Sequence, residues 1–213
     1  PKDSALGWLK LRGLCAFPQK GPGTTFAIML ARRILLPLSW IYALGAWLHA
    51  AAYRWRIRST YQPEIASVSI GNLHLGGTGK TPLSLWIMEQ LHQRIEPVYY
   101  LSRGYGRKTR ELREVTLEDE PLDVGDEALM VRQHFGHSSG IRVFVANQRA
   151  DALKTMGKVG AVILDDAFQH RGVNAALQIL VCPFGQWYTQ DHVVPAGRLR
   201  EHSSAALRAH AVV

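Results

Sequence analysis

Residues 65–81 read IASVSIGNLHLGGTGKT, and this stretch decides the fold. Ile65 to Ile70 is a β-branched run with the character of a buried strand. It breaks at Gly71-Asn72 and leads through Gly76-Gly77-Thr78-Gly79 into Lys80-Thr81 and an apolar-periodic segment with helical spacing. Strand, glycine-rich loop and helix in that order form a phosphate-binding P-loop. Glycines let backbone N–H groups turn inward around an anion, and the helix N-terminus favours the same negative charge. In this arrangement Lys80 reaches the β- and γ-phosphates and Thr81 places its hydroxyl on magnesium. The expected nucleotide-binding set is therefore His74, Leu75, Gly76, Gly77, Thr78, Gly79, Lys80 and Thr81. His74 stands where the general pattern asks for glycine, five residues before Gly79, and a neutral imidazole offers a phosphate little.

The rest of the chain extends the pattern. A helix is expected from Thr81 to Gln93, a strand at Val98–Leu101, and a short strand over 113–117. A helix should start at Val124-Gly125-Asp126-Glu127 and run to His134. Strands follow at Ile141–Val145, Val159–Leu164 and Leu177–Val181, with a helix over Asn147–Met156 between the first two. Alternating strands and helices predict an α/β fold, P-loop NTPase-like, with a largely parallel sheet flanked by helices and ligands at the carboxyl ends of the strands. Ala205–Val213 reads as the close of a helix and the start of one more strand. It stops without a turn, which suggests a fragment.

The 213 residues suffice for one good core. The 25 Lys and Arg against 17 Asp and Glu give a net charge of +8, which suits an anionic partner. Cys15 and Cys182 are far apart and imply neither a disulfide framework nor a metal site. From Ile34 to Tyr53, twenty residues carry no Asp, Glu, Lys or Arg. That is the threshold length for crossing a bilayer, but Pro37, Ser39, Gly45 and His49 weaken a span. Basic flanks on both sides, with Trp40, Trp47 and Trp55, also fit a helix lying in the headgroup layer. A buried core helix is the third reading. Residues 1–60 are thus set apart as a membrane-associated segment, and 61–213 as the P-loop domain.

Asp165 ends a hydrophobic strand, the position from which P-loop proteins hold magnesium or its water. Asp166 follows, pointing elsewhere by strand alternation. Asp126 and Glu127 sit at a helix N-terminus, either as simple caps or as a proton acceptor beside a metal ligand. Arg103 and Arg107 flank two glycines in a loop suited to phosphate, with a solvated basic turn as the alternative. His170 follows the acidic pair closely and is as readily structural as functional.

Together these segments resemble the tetraacyldisaccharide 4'-kinase family of lipid A synthesis. The runs are SIGNLHLGGTGKTP at 69–82, LSRGYGRK at 101–108, VGDEALM at 124–130, ILDDAFQHR at 163–171, VPAGRLRE at 194–201 and ALRAHAVV at 206–213. The resemblance implies an ATP- and Mg²⁺-dependent kinase acting on the 4'-hydroxyl of an acylated glucosamine disaccharide 1-phosphate. It places the protein on the cytoplasmic face of a bacterial inner membrane, peripheral or monotopic, with a single span as the alternative. By the same resemblance Asp126 is the general base, and Lys80 and Asp166 act in catalysis. Thr81, Glu127 and Asp165 are on the metal side; from their own chemistry, apart from the resemblance, Arg103, Arg107 and His170 are candidates for the substrate side. Ala167 stands where many members have Gly. Members also continue into a second lobe carrying a histidine that supports the base, so this chain alone is expected to be incomplete. No nucleic acid and no obligate protein partner is implied. The competing reading is a membrane-associated P-loop ATPase or GTPase acting as a switch; no guanine-specifying N-K-x-D motif supports it.

Overall fold

The computed structural model describes residues 22–157 and 159–213, with side chains from Arg32 onward; Cys15 and the first part of the 1–60 segment lie outside the described residues. Five strands carry the core: β1 (Ala66–Gly71), β2 (Val98–Ser102), β4 (Ile141–Val145), β5 (Ala161–Asp165) and β6 (Leu177–Leu180). Two short strands, β3 (Arg113–Glu114) and β7 (Ala211–Val212), close the edges in the order β3-β4-β2-β5-β1-β6-β7. Every pairing is parallel except β3 with β4.

Strand alternation splits the core in two. Val98 and Tyr100 join Ile70, Val143 and Ile163 on one face, under α2 (Lys80–His92) and α4 (Asp126–Phe135). Tyr99 and Leu101 join Phe144, Val162 and Leu164 on the other, where α5 (Arg149–Met156) contributes Ala152 and Leu153. Strands buried on both faces are why these segments read as continuous apolar runs instead of alternating ones.

Several boundaries move for local reasons. The segment predicted as a strand over 113–117 pairs only at Arg113 and Glu114. Asp119 accepts from the Thr116 N–H at 2.7 Å and pairs with Arg113, turning the chain out of the sheet. The helix expected from Val124 is broken at Gly125, with φ 88° and ψ 146°, so a short α3 (Pro121–Val124) precedes α4. The C-terminal residues form a 3₁₀ segment, Ser203–Arg208, and then β7 beside β6.

The apolar N-terminal segment lies within α1 (Pro22–Arg54), with Pro37 inside it. Leu36, Ser39, Ala43, Ala46, Ala50 and Tyr53 form a buried or half-buried stripe, spaced three and four apart, that faces the domain, and Leu35, Ala51 and Ala52 beside it are also buried or half-buried. Ser39 Oγ accepts from the Ala196 N–H at 2.9 Å, and Arg32 pairs with Asp191 at 3.6 Å. The opposite face, with Ile34, Leu38, Ile41 and Leu48, is exposed. Only 17% of the apolar window is buried, so among the described residues α1 is not a buried core helix.

Candidate active site

Register sets the site. In the pairing of β1 with β5, Ile70 lies opposite Asp165, which brings the mouth of the P-loop level with the acidic strand end. A Cβ at Gly71 would meet Phe168 Cβ at 2.5 Å and its N at 2.9 Å, so only glycine lets the acidic turn pass this close. Beyond it, Gly76 (φ 106°) and Gly79 (φ 84°) take conformations that side chains avoid, and a Cβ on Gly76, Gly77 or Gly79 would project into open space. The loop is braced from below. Asn72, fully buried, donates from Nδ2 to Thr78 Oγ1 at 2.8 Å, and Gln169 Nε2 donates to the Asn72 carbonyl at 2.6 Å.

This cradle opens into a cavity of about 480 Å³, lined by Gly76–Pro82, Ser102, Gly104, Tyr105, Gly125–Ala128, Asp166 and Arg200. Lys80 is almost buried and pairs with Asp166 at 3.5 Å; Arg200 Nη1 donates to the other Asp166 oxygen at 2.8 Å. Burial alone would raise the Asp166 pKa, but the Arg200 hydrogen bond and Lys80 outweigh it and hold the carboxyl below its usual value. Asp166 has φ 43°, a strained value for a non-glycine residue, and the turn that swings it away from Asp165 depends on it. Ala167 is not in that conformation, so its Cβ brings no backbone strain.

Asp165 faces the other way, with 1% of its surface exposed, and both carboxylate oxygens lack a hydrogen-bond partner. Burial, then the nearby Glu127 charge, pushes its pKa up to about 6. A buried carboxylate with free lone pairs calls for a cation. Thr81, Glu127 and Asp165 fit magnesium as an oxygen donor set of the hard type. Among the described residues no three His, Cys, Asp or Glu side chains cluster closely enough to hold a metal by themselves. Asp126 and Glu127 both line the cavity from the first turn of α4.

A second cavity of about 660 Å³ shares Ser102, Tyr105, Glu127, Asp166 and Arg200 with the first. Tyr42, Ala46 and His49 of α1 form one wall; Leu75, Arg103, Arg149, Gln169, His170 and Glu201 line the remainder. His170 is driven down to a pKa of about 4 by burial first, then by Arg149 and Arg103. Arg149, only 4% exposed, donates to the Asp165 and Asp166 carbonyls and so clamps the acidic turn.

Of the sequence-predicted residues, Gly76–Thr81, Asp126, Glu127 and Asp166 converge on the first cavity, with Asp165 behind it. Arg103 and His170 reach the second, and so does Leu75. Two do not arrive. Arg107 folds back against Gly104 with its three guanidinium nitrogens buried, away from both cavities. His74 is buried below the loop, bridged through its backbone to Leu199, and burial lowers its pKa. Asn72, Arg149 and Arg200 were missed. The signal for Arg200 was present in the VPAGRLRE run, whereas nothing in sequence marks Asn72 or Arg149 as braces.

A strand, a phosphate-cradling loop at a helix N-terminus, and an acid at the tip of the adjacent strand define a P-loop nucleotide-binding protein. Residues 31–213 match the family described as LpxK, tetraacyldisaccharide-1-P 4'-kinase, and the chain belongs to that family. A tetraacyldisaccharide 4'-kinase of Bacteroides fragilis is 35% identical over 184 residues, covering 84% of this chain and 48% of the relative. One from Methylobacillus flagellatus is 32% identical, covering 84% and 54%. The crystal structure of LpxK from Aquifex aeolicus in complex with ATP superposes with a TM-score of 0.76 at 28% identity, covering 85% of this chain and 58% of that one. The chain spans about half the length of the curated relatives it matches.

Proposed function

We propose that this chain forms the nucleotide-binding half of a kinase that transfers the γ-phosphoryl group of ATP to the 4'-hydroxyl of a tetraacylated glucosamine disaccharide 1-phosphate. The observation that carries this reading is the meeting of two cavities at Glu127, Asp166 and Arg200, one over the P-loop and one walled by the apolar helix. A nucleotide hydrolase acting as a switch needs only the first; a lipid kinase needs both.

Phosphoryl transfer asks the protein for positioning, charge neutralisation and an oriented nucleophile. Lys80 binds the phosphate oxygens, and backbone N–H groups of the glycine loop cradle them. Thr81, Glu127 and Asp165 would hold magnesium, which when bound would supply neutralisation of charge on the transferred group. Asp126 takes the proton from the acceptor hydroxyl. Asp166 holds Lys80 and Arg200 at the junction of the two cavities. Arg103 and His170 face the acceptor, whose phosphate a guanidinium can bind bidentately.

Residues 1–60 serve as the membrane-associated segment and 61–213 as the kinase domain. The exposed apolar face of α1 supports a peripheral or monotopic placement; the cytoplasmic face of the inner membrane rests on the family resemblance alone. The domain-facing stripe of α1 runs from Leu36 to Tyr53, so over these residues the helix lies along the domain and turns its other face outward. Arg32, Arg33, Arg54, Arg56 and Arg58 flank that face and suit anionic headgroups.

The test is γ-labelled ATP with Mg²⁺, detergent and the acylated disaccharide 1-phosphate, using this chain and one extended to the length of its relatives. Label at the sugar 4'-position from the extended chain supports the kinase. Free phosphate without labelled lipid from both would favour the switch.

A further inference from the structure

Tyr100 stands where an aliphatic residue would serve the core. It lies in the middle of β2, with no exposed surface, and its ring packs among Ile70, Val98, Val143 and Ile163. Its hydroxyl has no hydrogen-bond partner. Buried tyrosine hydroxyls usually find one.

The sheet register identifies the partner. Tyr100 is level with Ile163 in the pairing of β2 with β5, and both side chains join the same face of the core. Asp165 is two residues further along β5, so it shares that face and lies about 6.6 Å nearer the carboxyl ends. A tyrosine side chain spans about that distance. The phenol and the carboxylate lie within loose hydrogen-bonding reach of each other, short of a closed bond. Neither Asp165 oxygen has a closed hydrogen bond. A phenol donor and an orphaned carboxylate therefore face each other behind the nucleotide cavity.

We propose that Tyr100 is a positioning residue whose hydroxyl donates to one oxygen of Asp165, leaving the other oxygen fixed toward the metal-bearing side of the nucleotide. The inference rests on the nucleotide reading above. It assigns a task to a strand residue that lines neither cavity. Groups behind a metal ligand orient it, and losing one typically weakens metal binding roughly 10- to 100-fold.

The experiment titrates Mn²⁺ into the protein with a non-hydrolysable ATP analogue, read by electron paramagnetic resonance, for the parent, Tyr100→Phe, Asp165→Asn and the double variant. Tyr100→Phe keeps the ring in its cluster, so its melting temperature and its analogue affinity in EDTA should match the parent. Its Mn²⁺ affinity should fall roughly 10- to 100-fold. The same change should add nothing once Asp165 is Asn, since the hydroxyl acts through that carboxylate. Parent-like Mn²⁺ binding by Tyr100→Phe, or full additivity in the double variant, overturns the proposal and leaves the nucleotide reading standing. No metal-dependent analogue binding by the parent overturns both.

Discussion

Lys80 and Asp166 form an ion pair of 3.5 Å at the head of the phosphate loop, and the second Asp166 oxygen is held by Arg200 at 2.8 Å. The lysine side chain is 9% exposed and that of Asp166 34%, so solvent screens the pair only in part. Asp166 thus holds Lys80 in place at the mouth of the loop, the cation that on the proposed function meets the phosphates. Its backbone strain at φ 43° fits a residue fixed for function.

Lys80→Ala should lower phosphoryl transfer by about 100-fold or more, the scale of losing one preorganised donor at developing charge. Partitioning to membranes should not change, because α1 is untouched. Transfer assays and vesicle sedimentation on the same preparation check both halves.

Asp126→Ala should reduce turnover by roughly 10²- to 10⁴-fold, the range for a general base. Nucleotide affinity should change little. A loss confined to ATP binding would instead make Asp126 a cap of α4 or a metal-side group.

The phosphate loop, the acid at the end of β5 and the parallel strands were legible because each has a local signature: glycine spacing, apolar runs, and an acid at a strand end. The antiparallel edge of β3 was not, since it depends on Asp119 turning the chain at Thr116. Arg107 reads like Arg103 in sequence, yet its side chain packs back against Gly104 with its guanidinium buried. Asn72 and Arg149 are braces whose partners lie in other segments, Asn72 being held by Gln169 and Arg149 reaching the 165–166 turn, and no window of sequence joins them. The exposed and docked faces of α1 became distinct only once the domain supplied the surface for Ser39 and Ala50.

His170 gives the pH dependence. Its folded pKa, about 4, lies below the ordinary imidazole value of 6.5, because burial and the neighbouring arginines disfavour the imidazolium. Below pH 6.5 the unfolded chain takes up a proton that the folded chain refuses, so this group's contribution to stability is lost as pH falls from 6.5 toward 4. His170→Gln should therefore flatten the fall in melting temperature across that window relative to the parent. Parallel curves for the two proteins would show that His170 titrates alike in both states.

Gly71→Ala should destabilise the domain by about 1–3 kcal/mol, since the added methyl meets Phe168 backbone and Cβ and one strand must shift. The shift separates the phosphate loop from the acidic turn. Nucleotide affinity should fall along with the denaturation midpoint, and a stable variant with normal affinity would show that the turn has room to move.

On the proposed function, the outward face of α1 is what attaches the protein to the membrane. Replacing Ile34, Leu38, Ile41 and Leu48 with serine leaves the docked stripe and the Ser39–Ala196 hydrogen bond in place, so the domain should keep its fold. Each replacement removes about 1 kcal/mol of apolar transfer, below the full-burial value because a headgroup-level helix is only partly desolvated. Four together should weaken binding to vesicles of mixed neutral and anionic lipid by 100-fold or more (about 1.4 kcal/mol per decade). Circular dichroism confirms the fold, and sedimentation with the vesicles measures the loss. Unchanged partitioning by a folded variant would show that this face is not what holds the protein to the bilayer.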